Sequence, residues 1–242
     1  MKRKLSVLSM IANHSLEWVL GILLLQLLMN GLFFYTCLVA EGWGFLDVVL
    51  SMEELLGFFA ISLVLMTLLL GFSLRDKGGK QNYFLHRLSV SPRAFCLTHG
   101  LYNSLCFFLL FAVEALSLLG GVFWHSQLHP EAYNHQSIML SCYRYSILHT
   151  FFPLSDWLGW VVLAVLILGL GFTSAAMSAA NRRGKRSILP FLMVGTVLLY
   201  GHLQNSFQAV ALDGKVVSLI PALIFTGSAL WQLLGQEVRE DG

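Results

Sequence analysis

Charge is scarce in this chain. Asp, Glu, Lys and Arg supply 12% of its 242 residues, where soluble domains carry about 25%. Hydrophobic residues make up 57%, and mean hydropathy is +0.72. That shortage excludes an ordinary soluble domain. Two-residue alternation is also missing from the apolar runs, which excludes a transmembrane barrel built from alternating ten-residue strands. The four cysteines, Cys37, Cys96, Cys106 and Cys142, contain no CxxC pair, and three of them lie in or beside apolar runs, which argues against a disulfide framework. No repeat of 20–50 residues is visible. Gly79-Lys80 does not make a phosphate loop, because Leu74 and Gln81 stand where that motif needs Gly and Ser or Thr.

What is present is a set of six apolar runs, at about 18–40, 55–74, 94–123, 157–180, 187–203 and 216–235. A bilayer core of about 30 Å takes roughly 20 apolar residues per helix. The expected class is therefore an all-α integral membrane protein of six transmembrane helices in one domain. If the first run starts inside, all 15 Lys and Arg except Arg144 and Lys215 fall in inner segments. Such asymmetry sets orientation, so both termini are expected in the cytoplasm of a multi-pass cell-membrane protein. The start, Met-Lys-Arg-Lys before an apolar run, has too long a run and no small-x-small site for a cleaved signal. Leu5, Leu8 and Ala12 share a helical spacing, which suits either a short helix at the inner surface or a basic tail without structure. The net charge of +2 is dispersed over short loops, so no nucleic-acid partner is expected.

The longest inner segment runs from Arg75 to Arg93. Asp76-Lys77-Gly78-Gly79 has turn composition. Asn82 is placed to cap a short helix over Tyr83–Leu88, on which Phe84 and Leu88 share a face. Pro92 suits the first turn of the third span. Such a stiff apolar projection under the membrane can dock into a groove of a soluble partner, with charges fixing its register. Equally, Tyr83 and Phe84 can serve as an aromatic anchor among the headgroups.

Six spans with both ends inside, and the sequence FLHRLSVSPRAF after the second, resemble the permease subunits of ABC transporters of the type-2 exporter class. In that family the loop reads basic, apolar, small, apolar, Ser and again basic, which here is Arg87, Leu88, Ser89, Val90, Ser91 and Arg93. The resemblance implies that this segment is a coupling helix, with Tyr83, Phe84, Arg87, Leu88 and Arg93 meeting a separate ATPase subunit. It implies a second permease subunit, identical or related, and ATP bound only by the partner, so this chain would hold no cofactor and perform no catalysis. The longest external segment here, 124–156, lies between the third and fourth spans, whereas the family tends to place its larger external elements between the last two.

Among the polar residues inside the spans, three stand out. Glu114 in the third span would cost on the order of 2.5–3.5 kcal/mol at the bilayer centre. Either it lines a substrate route or pairs across a subunit interface, or it is a hydrogen-bonded structural group. Gln26 and Asn30, four apart on the first span, are expected to bond another helix. Gly171, Ala175 and Ala179 form a small-residue stripe suited to close helix contact. Outside, Ile138–Phe152 is apolar but too short to span comfortably, so an interfacial or re-entrant helix is expected there. His125, His129 and His135 are broken up by Pro130 and are read as solvated or facing the headgroups, not as metal ligands.

Two rival classes compete. One is an accessory or sensory membrane subunit that transports nothing. The other is an intramembrane protease of the CAAX-processing type, since Glu53-Glu54 and Phe95-x-x-x-His99 match parts of its EExxxR and FxxxH signatures. Phe58 replaces the required Arg, and the expected topology sets the two motifs about 25–30 Å apart in depth.

Overall fold

In lipid every backbone N–H and C=O must be satisfied within the chain, so long apolar runs become helices. The computed structural model describes residues 2–40, 53–72, 92–128, 130, 146–154, 156–206 and 211–234, and its regular elements there are all helical. We number them α1 (Lys2–Ala40), α2 (Glu53–Phe72), α3 (Pro92–Leu128), α4 (Ser146–Phe151), α5 (Trp157–Arg182), α6 (Leu189–Ser206) and α7 (Ala211–Leu234). Five are long and apolar enough to cross a bilayer: α1, α2, α3, α5 and α7. The remaining apolar run, the fifth, lies in α6 and is a shorter stretch over Leu189–Gln204. Neither a separate surface helix nor an unstructured tail precedes the first span. Instead α1 runs unbroken from Lys2.

Helix α5 sits at the centre. Of its apolar window 72% is buried, against 28% for α1 and 22% for α7, and it packs on α3, α7, α6 and α2. Small residues allow this crowding. A Cβ added at Gly171 would collide with the Ser104 hydroxyl and sit 2.5 Å from the Ser104 backbone nitrogen. One added at Gly100 would lie 2.5 Å from the Phe172 ring. The expected stripe on α5 is therefore the seat of its closest crossing, onto α3. A second contact fixes the antiparallel register: the Arg182 guanidinium lies 5.0 Å from the centroid of Phe95, over its ring.

The same contact begins a shared basic end. There the Asn181 side-chain amide donates to the Gly71 carbonyl at 3.2 Å, joining the last turns of α5 and α2. Arg93 opens α3, Arg182 and Arg183 close α5, and Lys185 and Arg186 lead into α6. The tight α5–α6 turn closes with bonds from the Arg183 and Lys185 amides to the Ala180 carbonyl, at 2.9 and 3.0 Å. Gly184 there adopts a positive φ of 68°, a conformation that glycine takes at helix C-termini without steric cost.

The opposite end is closed by α4. Its Ile147, Leu148 and Phe151 are buried, and Phe151 completes an aromatic trio with Phe59 of α2 and Phe111 of α3. The ring centroids are 4.8, 4.9 and 5.8 Å apart, in the range of edge-to-face attraction. Of the expected interfacial or re-entrant helix at Ile138–Phe152, the part from Ser146 packs on α3 and α6, and through Phe151 on α2. The remainder of that stretch, with Arg144, lies outside the described residues. Lys215, the other basic residue that broke the charge pattern, is explained by an ion pair with Asp156 that ties the start of α7 to the start of α5.

Asp156 provides a pH test of this clamp. Burial pushes its carboxyl up, but the Lys215 hydrogen bond, the Gly159 amide, and the charges of Lys215 and His149 together hold it below its ordinary value of 3.8. A carboxyl lowered by folding stabilises above its unfolded value and loses that contribution as pH falls through the folded one. We expect Asp156→Asn to melt below wild type at pH 6, and the gap to narrow when both are acidified below about 3.8. A gap independent of pH, in melting curves taken in detergent, would remove the clamp.

Candidate functional site

The polar residues that break α1 and α3 come together. From α1, the side-chain amides of Gln26 and Asn30 both donate to one carboxylate oxygen of Glu114 on α3, the Asn30 bond measuring 2.7 Å. The two amides also touch each other, with Gln26 Nε2 3.4 Å from Asn30 Oδ1. Two serines complete the cluster. Ser62 of α2 donates to Gln26 Oε1, and Ser117 accepts from Asn30 at 2.6 Å while donating to the Glu114 carbonyl at 2.8 Å. Gln26, Asn30, Ser62 and Glu114 have essentially no solvent exposure.

The spacing explains why these residues meet. Positions 26 and 30 are one turn apart on α1, and 114 and 117 are one turn apart on α3, so each pair presents one face. The other Glu114 oxygen, Oε1, has no hydrogen-bond partner among the described residues. The cluster therefore ties α1, α2 and α3 by neutral donors around a carboxyl that keeps one acceptor unused. Such an unused position on a buried polar side chain is uncommon in folded proteins.

A second polar level lies nearer the basic end. His99 and Asn103 on α3, and Ser174 and Ser178 on α5, are buried. His99 Nε2, both Asn103 side-chain polar atoms and both serine hydroxyls lack hydrogen-bond partners among the described residues. The register set by Ser104 against Gly171 and by Phe95 against Arg182 brings Asn103 level with Ser174 and His99 level with Ser178. Cys106, Phe107 and Leu110, all buried, separate this level from Glu114 along α3. At the same depth on α3, between His99 and Asn103, the Tyr102 hydroxyl bonds that of Ser15 at 2.8 Å, joining α1 to α3.

Of the residues expected to carry function, Gln26, Asn30 and Glu114 form one site. Arg93 lies at the basic end, apart from it. Tyr83, Phe84, Arg87 and Leu88 lie outside the described residues. Ser62, Ser117, Asn103 and the α5 serines were not anticipated. Their signal was only a small polar residue inside an apolar run, and Ser or Thr in such runs usually bonds its own helix, as Thr67, Thr98 and Thr173 do here. The two protease-like motifs do not meet. Glu53 opens α2, whose last turn bonds Asn181 at the basic end, whereas His99 sits about two turns into α3 from that same end. Twenty residues of α2, less the two turns that His99 lies in from the basic end, put them on the order of 20 Å apart in depth, whereas ligands of one metal ion lie about 2 Å from it.

No family model, no curated protein and no solved structure matches this chain.

Proposed function

We propose that the chain is the membrane-spanning subunit of an ATP-driven transporter of the type-2 ABC exporter kind. In this proposal six spans, with α6 as the fifth, place both termini in the cytoplasm of the cell membrane. A second copy or a related permease completes the substrate route, and a separate ATPase subunit binds the nucleotide. The observation that carries it is where α2 ends and α3 begins, at the end of the bundle where Arg93, Arg182, Arg183, Lys185 and Arg186 gather. The sequence between those two helix ends, 73–91, is the one that resembles a coupling helix. A motor pulling there acts on α3, which carries both polar levels, and through Arg182 and Phe95 on the central helix α5. Separation of α3 from its neighbours would expose His99, Asn103 and Glu114 to a common route that the block of Cys106, Phe107 and Leu110 now interrupts.

Co-purification tests the coupling. Tagged protein extracted in mild detergent from its native membrane is expected to retain a soluble nucleotide-binding chain. Phe84→Asp combined with Arg87→Glu should lower that retention at least about tenfold, because a docked aromatic and its charge are typical interface anchors worth 2 kcal/mol or more. Membrane insertion should be unchanged. Retention of the ATPase at wild-type levels would sink this contact. Absence of any ATPase from the wild-type preparation would favour an accessory membrane subunit.

A further inference from the structure

We propose that the cavity at the basic end between α5, α6 and α7 is a binding site for one anionic phospholipid, which holds its phosphate with Arg183, Lys185 and Arg186. The cavity measures about 410 Å³ and is lined by these three cations and Ser187, by Ala176, Ala180, Ile188 and Leu189, and by Gln232 of α7. That volume falls in the range of small-molecule sites, roughly 300–1,000 Å³.

The lining is two-faced in the way a phospholipid requires. Three basic side chains within four positions, on a turn that glycine fixes at Gly184, supply a cationic rim. The first turn of α6 offers few free amides, because Pro190 has no N–H and the Phe191 and Leu192 amides bond the Ile188 carbonyl at 3.1 and 3.2 Å. The cationic side chains therefore carry the anion, helped by the positive end of the helix dipole beside Ser187. Ala176, Ala180, Ile188 and Leu189 supply an apolar floor. That floor reaches the surface at Ile188, which is 68% exposed, and Trp231, next to the lining Gln232 in sequence, is 81% exposed. A free phosphate would use the rim alone. An acidic protein partner would gain nothing from an apolar floor open sideways. An acyl chain with an anionic headgroup uses both, and basic pockets between spans are known to suit such headgroups. The site is independent of the transporter proposal, since it needs only a membrane around the bundle.

Native mass spectrometry of the purified chain tests it, with phosphatidylglycerol and phosphatidylcholine offered in equal amounts. Wild type is expected to retain phosphatidylglycerol over phosphatidylcholine by about tenfold or more, as three cations near the headgroup imply. Substituting Arg183, Lys185 and Arg186 together by glutamine should bring the two lipids close to parity. The same treatment of Lys2, Arg3 and Lys4, which removes equal charge elsewhere, should preserve the preference. Ala180→Phe fills the floor and keeps every charge, so it should also lose the lipid. It thereby guards against a triple variant that simply unfolds, and melting curves identify such a loss. Three results would overturn the site: equal loss in the Lys2, Arg3 and Lys4 variant, full retention in Ala180→Phe, or displacement of the lipid by millimolar inorganic phosphate.

Discussion

Gly171→Leu is expected to leave the chain inserted in the membrane but without its packed bundle, and even Gly171→Ala should cost about 2–3 kcal/mol. The new Cβ would collide with the Ser104 hydroxyl, which can rotate away, and with the Ser104 backbone nitrogen and Cα, at 2.5 and 2.7 Å, which cannot. Relief therefore requires α3 and α5 to separate along their whole crossing. Over-packing typically costs 1–3 kcal/mol and rises with side-chain size, and α5 is the most buried of the five long apolar helices, packed on four others. Gly195 of α6 is the matched control, because nothing lies within 4 Å of a Cβ placed there. Gly195→Ala should be neutral or up to ~1 kcal/mol stabilising, as alanine improves on glycine in an exposed helix. Thermal melting of the purified proteins in one detergent compares them. Indistinguishable curves for the two alanine variants would mean that α3 and α5 are not in the close contact described.

The class and most of the helices were legible because lipid leaves an apolar run little choice but helix. The ends were less so. The third run was expected over 94–123, yet α3 continues to Leu128, since Trp124, His125 and Ser126 can close a helix at a bilayer edge as readily as begin a loop. The close approach at Gly171 was readable from the small-residue spacing on α5, but its target, Ser104, was not, because helix periodicity says which face is small and nothing about what covers it. The same limit applies to the polar site. The face shared by Gln26 and Asn30 followed from their spacing, and Glu114 was conspicuous by its charge. That these meet, with Ser62 and Ser117 filling the remaining bonds, depends on the mutual rotation of three helices. Lys215 shows the limit from the other side. It looked like an exception to the charge pattern until Asp156, far away in sequence, supplied the opposite charge.

Substituting Glu114 is expected to separate its structural duty from any part in transport. Glu114→Leu removes the acceptor shared by Gln26 and Asn30 and buries two amides with fewer partners. An unsatisfied buried donor costs about 1–3 kcal/mol, whereas interhelical bonds in membranes average only ~0.6 kcal/mol. Partial compensation is at hand, since Asn30 still reaches Ser117 and Gln26 still reaches Ser62 and Asn30. A loss of about 2 kcal/mol is therefore expected, visible as a lower melting temperature. Glu114→Gln keeps the shape and one acceptor oxygen for the two amides, and its new NH2 can take the place of Oε1, which has no partner to lose. Because the exchange puts one buried polar atom without a partner in place of another, its loss should stay below that of the Leu variant, at about 1 kcal/mol or less. With folding so preserved, the amide variant isolates function. If the chain is the transporter subunit proposed above and the carboxyl takes part in moving substrate, transport by the reconstituted complex should fall in Glu114→Gln while its melting curve and its retention of the proposed ATPase hold. If transport follows stability alone, lost in Leu and kept in Gln, then Glu114 is a helix-joining group and the route lies elsewhere along α3.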